Sequence, residues 1–260
     1  MLLVREDDEE LLWISDNGSK MRCCDGTYQA DTQQPIRGNV VQFRLDGTEV
    51  FRLDMPQLEM YDDGSYCPTQ VAVDEEHFGG SGDIWVADCY GQSVVHRFDK
   101  SGTYMMTLDG TSGAGRFTQP HAIYLDRRGA EPELLVADRR NKRIQVFDLG
   151  GSFLRSFGED FLVSPSGFAR YGENLLVTEL DARITVLGPD NEVKASIGDY
   201  DPAVRTRPGW PNEADDKGTQ RPRLHGAQFN TPHGVAVDTD GNIYVTEWLI
   251  GGRLVKLVPR

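Results

Sequence analysis

Long apolar runs are missing from this sequence. No stretch approaches the roughly 20 consecutive apolar residues that a bilayer-spanning helix needs, and "LLV" after Met1 gives way at once to "REDDEE". The expectation is therefore a chain with neither a membrane partner nor a secretory leader. Cysteine is scarce too. Cys23, Cys24, Cys67 and Cys89 are too few and too unevenly spaced for a disulfide framework, and adjacent Cys23 and Cys24 do not give a CxxC metal spacing. A reducing, cytoplasmic location is expected, with a Cys67–Cys89 bridge left open. Positive charge is in deficit, 27 Lys and Arg against 41 Asp and Glu, a formal charge of −14. With no basic cluster, a nucleic-acid partner is excluded. Sustained helical periodicity is also absent.

What the sequence does have is a repeat. "PHAIYLDRRGAEPELLVADRRNKRIQVFDLGGSFLRSFG" (120–158) gives its clearest copy: an apolar strand led by proline, a turn, a strand ending in a carboxylate, a third strand, a turn and a fourth strand. Residues 68–110 match it element by element, 165–198 match it again, and "PHGVAVDTDGNIYVTEWLIGGRLVKL" (232–257) is a copy cut short. A fifth begins at residue 2 and resumes after an insertion as "GNVVQFRLDGTEVFRLD". The strands are rich in Val, Ile, Leu and aromatic residues and are parted by Gly, Asp and Asn turns, which predicts antiparallel meanders. Four-stranded repeats of this length indicate an all-β chain folded as a β-propeller.

"NIYVTE", "LLVADRRNKRIQVFD" and "DIWVADCYGQSVVHRFD" resemble NHL repeats over nearly the whole chain. The expected organisation is one NHL-type propeller domain over 1–260, with repeats at about 1–54, 67–110, 119–158, 164–198 and 231–260. Two Pro- and Gly-containing segments, 22–36 and 199–228, lack strand alternation. The second is expected to fold over one end of the propeller with Trp210 as an anchor or lid.

In a propeller the first strand of each blade lines the central channel. His121 in "QPHAIYL" and His233 in "TPHGVAV" hold the same first-strand position, filled by Thr69 and Ser166 in two other repeats. Both imidazoles are thus candidate ligands for zinc or another divalent cation at the channel mouth, one ligand short of the usual catalytic set of three. The order "PT", "PH", "PS", "PH" is similar to that of peptidyl-α-hydroxyglycine α-amidating lyase, a zinc-dependent propeller family. That resemblance implies three first-strand histidines on zinc, the second and third falling on His121 and His233. It implies a catalytic tyrosine at Tyr90, in "ADCY", and a catalytic arginine at Arg139, in "VADRRNKRIQ". The chain departs from the family in several ways. Gly234 stands where the family has a calcium-binding Asp, and Gly91 stands opposite Cys67 in the family disulfide. A further family arginine and the first "PHG" match nothing here, and no copper monooxygenase region accompanies the repeats. The family has six blades and five repeats are visible, so an N-terminally shortened six-bladed form is the expectation.

A carboxylate ends the second strand of every repeat: Asp16, Asp88, Asp138, Glu179 and Glu247. Recurrence in every blade points to turn stabilisation, with Asp138–Arg143, Glu179–Arg183 and Glu247–Arg253 as partners, because a catalytic residue breaks such symmetry. Tyr90 and Arg139 do break it, as a proton acceptor and an anion fork respectively. His96 reads as outer-strand surface, His77 and His225 as loop residues, with His225 able to reach over the channel as a third ligand. The resulting reading is a metal-dependent lyase- or hydrolase-like propeller enzyme acting on a small molecule or peptide. The alternative is a non-catalytic NHL scaffold for a protein or small ligand.

Overall fold

A computed structural model of the chain describes residues 1–19, 21–24, 27–30, 37–62, 64–198, 203–216, 218–224 and 228–259. The repeats become sheets. The first holds β1 (Leu2–Glu6) and β2 (Glu9–Asp16); β3 (Met21–Cys24) and β4 (Thr27–Ala30) form a separate hairpin; and β5 (Asn39–Arg44) and β6 (Glu49–Leu53) complete the sheet in the order β1-β2-β5-β6. The second sheet is the meander β7 (Gln70–Val73), β8 (Ile84–Asp88), β9 (Val94–Phe98) and β10 (Tyr104–Leu108). The third runs through β11 (Pro120–Asp126), β12 (Glu133–Asp138), β13 (Arg143–Phe147) and β14 (Phe153–Phe157). The fourth is β15 (Pro165–Tyr171), β16 (Asn174–Glu179), β17 (Arg183–Leu187) and β18 (Val193–Ile197). A hairpin of β19 (Glu213–Asp215) and β20 (Gly218–Gln220) precedes the last sheet, β21 (Pro232–Val237), β22 (Ile243–Glu247) and β23 (Arg253–Leu257).

These are antiparallel blades of a β-propeller, four of them four-stranded and the last three-stranded. Both inserted segments, expected to be without strands, carry a short hairpin. In the first, Asp25-Gly26 separates β3 from β4 in sequence, a dipeptide suited to two-residue hairpin turns. Three or four backbone pairs need no apolar alternation, so the hydrophobic pattern gave no sign of them.

The chain forms two compact units, Met1–Lys20 with Asp31–Ser156, and Met21–Ala30 with Phe157–Arg260. In the first unit the period of two along β8 does the packing. Ile84 and Val86 join a cluster with Val4, Leu11, Trp13 and Val40 of the first blade, while Trp85 and Ala87 join one with Leu134, Val136 and Phe147 of the third. A second strand with apolar residues on both faces is therefore buried on both, at roughly 25 cal/mol per Å² of apolar area removed from water. In the second unit Leu176, Ile184 and Val186 pack with Ile243 and Val245. No helix among the described residues is long and apolar enough to cross a membrane.

Candidate functional site

The recurring carboxylates act on their own blades. Asp138, Glu179 and Glu247 each pair directly across the second and third strands with an arginine, Arg143, Arg183 and Arg253. Each ion pair forms, at 2.8, 2.7 and 3.1 Å. Each carboxylate also accepts a backbone N–H from the loop that leads into its blade's first strand: Thr118 to Asp138 at 2.8 Å, Val163 to Glu179 at 2.5 Å and Thr231 to Glu247 at 3.0 Å. The group thus fastens the entry loop to the turn between strands two and three. In the second blade Val94 stands opposite Asp88. The missing guanidinium is replaced by the Tyr61 hydroxyl, which donates to Asp88 at 2.6 Å, while the Cys67 N–H donates at 2.7 Å. Burial and the Asp88 charge push the Tyr61 phenol well above its ordinary range, which keeps it a donor.

With these loops fixed, the first unit brings three of the four expected site residues together. His121 is buried on β11, and its ring centroid lies 5.9 Å from that of Tyr90, which is 43% exposed on the turn after β8. Arg139 follows β12 and is only 7% exposed. Its guanidinium carbon stands 5.4 Å from the Tyr90 ring centre, and Nη2 donates to the Tyr90 hydroxyl at 3.2 Å and to Gln119 Oε1 at 2.9 Å. Among the described residues no carboxylate pairs with Arg139, so a buried cation is met only by neutral oxygens.

Gln119, which the sequence reading passed over, builds this arrangement. Its φ of +57° is unusual for a residue with a side chain. Its carbonyl accepts the Arg139 N–H at 3.3 Å, and its amide oxygen takes Arg140 Nε at 3.1 Å as well as Arg139. A sequence signal was available: the residue before the first-strand proline is Cys67, Ser164 or Thr231 in the other repeats, and a long amide here.

His233 belongs to the second unit. It sits half-buried on β21, and its carbonyl accepts the Thr178 hydroxyl at 2.7 Å, just as the His121 carbonyl accepts the Thr69 hydroxyl at 2.8 Å. Gly167 permits the close approach of β15 to β21, since a Cβ there would fall 2.5 Å from the His233 carbonyl oxygen. Among the described residues no group of three or more His, Cys, Asp and Glu is arranged to hold a metal. His225, the candidate third ligand, lies outside them.

The family model of the NHL repeat matches residues 229–248, which contain His233 and the clamp residue Glu247. The fold is a β-propeller, and residues 229–248 form an NHL repeat within it. NHL repeat-containing protein 3 of Homo sapiens is 34% identical over 128 residues, 46% of this chain, and the matched region spans about a third of that relative, 35%. Two solved structures share the fold. A protein of unknown function from Bacteroides caccae aligns with 94% of this chain and 75% of its own at a TM-score of 0.53 and 15% identity. Virginiamycin B lyase from Staphylococcus aureus aligns with 95% and 74% at 0.50 and 12%.

The long insertion seats on turns of the second unit. Arg205 pairs with buried Asp181 on the turn after β16, and its guanidinium carbon lies 5.6 Å from the Trp210 ring centre. The Asn212 side chain accepts the Ile250 N–H at 2.7 Å on the turn after β22. Trp210 thus packs on the arginine that ties the insertion to Asp181.

The expectation for His96 is corrected, and the Cys67–Cys89 pairing left open by the sequence is not formed. His96 is fully buried, because stacked blades cover both faces of β9 and the turn at Glu59–Tyr61 closes over it. Cys67 and Cys89 are free thiols. Burial pushes the Cys89 thiol up to about 12, an effect that the Arg139 cation partly opposes.

Proposed function

We propose that this NHL propeller is a lyase- or hydrolase-like enzyme for a small molecule or peptide that carries an anionic group. The supporting observation is Arg139, a nearly buried guanidinium with neutral partners only, set against Tyr90 and His121. A substrate carboxylate would take the two-pronged face of that guanidinium. Tyr90, exposed enough to meet solvent and polarised by Arg139 Nη2, would accept a proton from the bound substrate.

His121 and His233 are the candidate ligands for a divalent cation, zinc first among them, which would polarise a hydroxyl or carbonyl oxygen. The described residues supply no third donor, so no step is routed through the cation. The test combines two measurements on the purified chain. Zinc content should fall on His121→Ala and on His233→Ala, and glycolate should bind to the native protein and not to Arg139→Ala. Zinc content that neither substitution changes would remove the histidines from the proposal, and equal glycolate binding would remove Arg139.

A second reading, a non-catalytic scaffold for a protein partner, is favoured by Trp248. It follows the clamp residue Glu247 and is 57% exposed. An aromatic presented in this way suits a hot-spot anchor.

A further inference from the structure

Arg140, which the proposed chemistry leaves unused, follows Arg139 on the turn after β12. Its side chain is exposed, and its Nε donates to Gln119 Oε1 at 3.1 Å, the same atom that takes Arg139 Nη2 at 2.9 Å. Two nitrogens on one oxygen lie no more than about 6 Å apart, so a neutral amide holds two guanidinium groups side by side. Like charges at that separation repel, and an amide oxygen neutralises neither. The backbone fixes the arrangement. The Arg139 and Arg140 N–H groups donate to the Gln119 and Thr118 carbonyls at 3.3 and 3.1 Å, and Asn141 Nδ2 donates to the Arg116 carbonyl at 3.0 Å, which lays the turn along the loop before β11.

No carboxylate answers this charge. Asp138, next in sequence, is fully buried and already accepts from Arg143, Asn141, Gln145 and the Thr118 N–H. Among the described residues no Asp or Glu pairs with Arg139, with Arg140 or with the exposed Lys142 of the same turn. In a chain with 41 acidic and 27 basic side chains, an unanswered positive turn runs against the composition. The free donors point the same way. Arg139 is only 7% exposed and its guanidinium bonds through Nη2 alone; its Nε and Nη1, and both Nη atoms of Arg140, make no hydrogen bond among the described residues. Each guanidinium therefore keeps donors for an anion of its own.

We propose that this pair receives a dicarboxylate, one carboxylate on each guanidinium, and that Arg140 sets this specificity. A monocarboxylate would neutralise one cation and leave its neighbour repelled, whereas two carboxylates on adjacent carbons match both the number and the closeness of the charges. The inference rests on the reading of Arg139 as the anion-binding residue of the proposed site, and narrows its substrate to an acid with two carboxylates, either a small hydroxy acid or an acidic peptide terminus.

The test measures binding of L-malate and of glycolate to the full chain by isothermal titration calorimetry, at constant ionic strength and about pH 7.5, where every ligand carboxylate is ionised. Malate should bind at least about tenfold more tightly than glycolate. Arg140→Gln, a change at an exposed position, should remove that advantage while altering glycolate affinity by no more than about threefold. Gln119→Glu, which keeps the acceptor and adds the missing negative charge, should weaken malate about tenfold or more. N-acetylaspartate separates the two sources: affinity matching that of malate identifies a peptide terminus, and weaker binding identifies a free hydroxy acid. Malate no tighter than glycolate, or a malate advantage that survives Arg140→Gln, would overturn the inference, and the proposed function would stand as long as glycolate still required Arg139. Glycolate binding untouched by Arg139→Ala would instead remove the reading on which the inference rests.

Discussion

Acidification should destabilise this propeller through His96 before its carboxylates are protonated. His96 is fully buried on β9 and its bonding partners are all neutral: Tyr61 at 2.7 Å from Nε2 and Thr107 at 2.9 Å from Nδ1. Because the Tyr61 hydroxyl donates to Asp88, it can only accept from His96, so Nε2 carries the hydrogen and Nδ1 receives the Thr107 hydroxyl. Phe98 and Tyr104 cover the ring from its own sheet, and the Asp88 carboxylate is reached through Tyr61. A second proton would sit on Nδ1 against a group already donating to it. Burial accordingly lowers the His96 imidazole from its ordinary 6.5 to about 4. The folded pKa is depressed, so the stability it contributes is complete above about pH 6.5 and is lost progressively as pH falls towards about 4. At 1.36 kcal/mol per unit the full effect is about 3 kcal/mol, of which about 2 kcal/mol should be lost between about pH 7.5 and 5.0. Urea unfolding at a series of pH values measures this directly. His96→Gln keeps a donor and an acceptor but does not titrate, so its stability should vary much less over that window. An equal pH slope in both proteins would refute the assignment.

Asp138→Asn should destabilise the first unit by roughly 3 kcal/mol or more, since it strips charge from a fully buried group held by Arg143, Asn141 and the Thr118 N–H; chemical denaturation reads this. Leu134→Ala, in the cluster between the second and third blades, should cost about 3 kcal/mol in the same assay. Native Cys89 should resist alkylation by iodoacetamide at about pH 8 while Cys67, less deeply buried, reacts faster, as peptide mapping would show. Gln119→Ala should lower glycolate affinity about tenfold by releasing Arg139, with little change in zinc content.

The five repeats and the clamp were legible because both are written once per repeat. Asp138 opposite Arg143 recurs as Glu179 opposite Arg183 and Glu247 opposite Arg253, so spacing alone indicated contact. What stayed hidden was the place where the pattern fails. In the second blade the arginine position is Val94, and its work passes to Tyr61, which stands 27 residues before Asp88 outside any strand. Periodicity cannot report a substitute that lies outside the period. The same reasoning applies to the candidate site. The position after the clamp carboxylate is Asn17, Cys89, Arg139, Leu180 and Trp248 in turn, five side chains with nothing in common. A structural demand at that position would have selected one kind of residue in every blade. Of the five, Arg139 alone is a nearly buried charge, and Trp248 is the one large apolar group left exposed. Glycolate binding that depends on Arg139, together with partner binding that depends on Trp248, would place two distinct recognition surfaces at equivalent positions of different blades. The turn after the second strand would then be the position at which this fold varies in chemistry while its clamp holds the geometry constant.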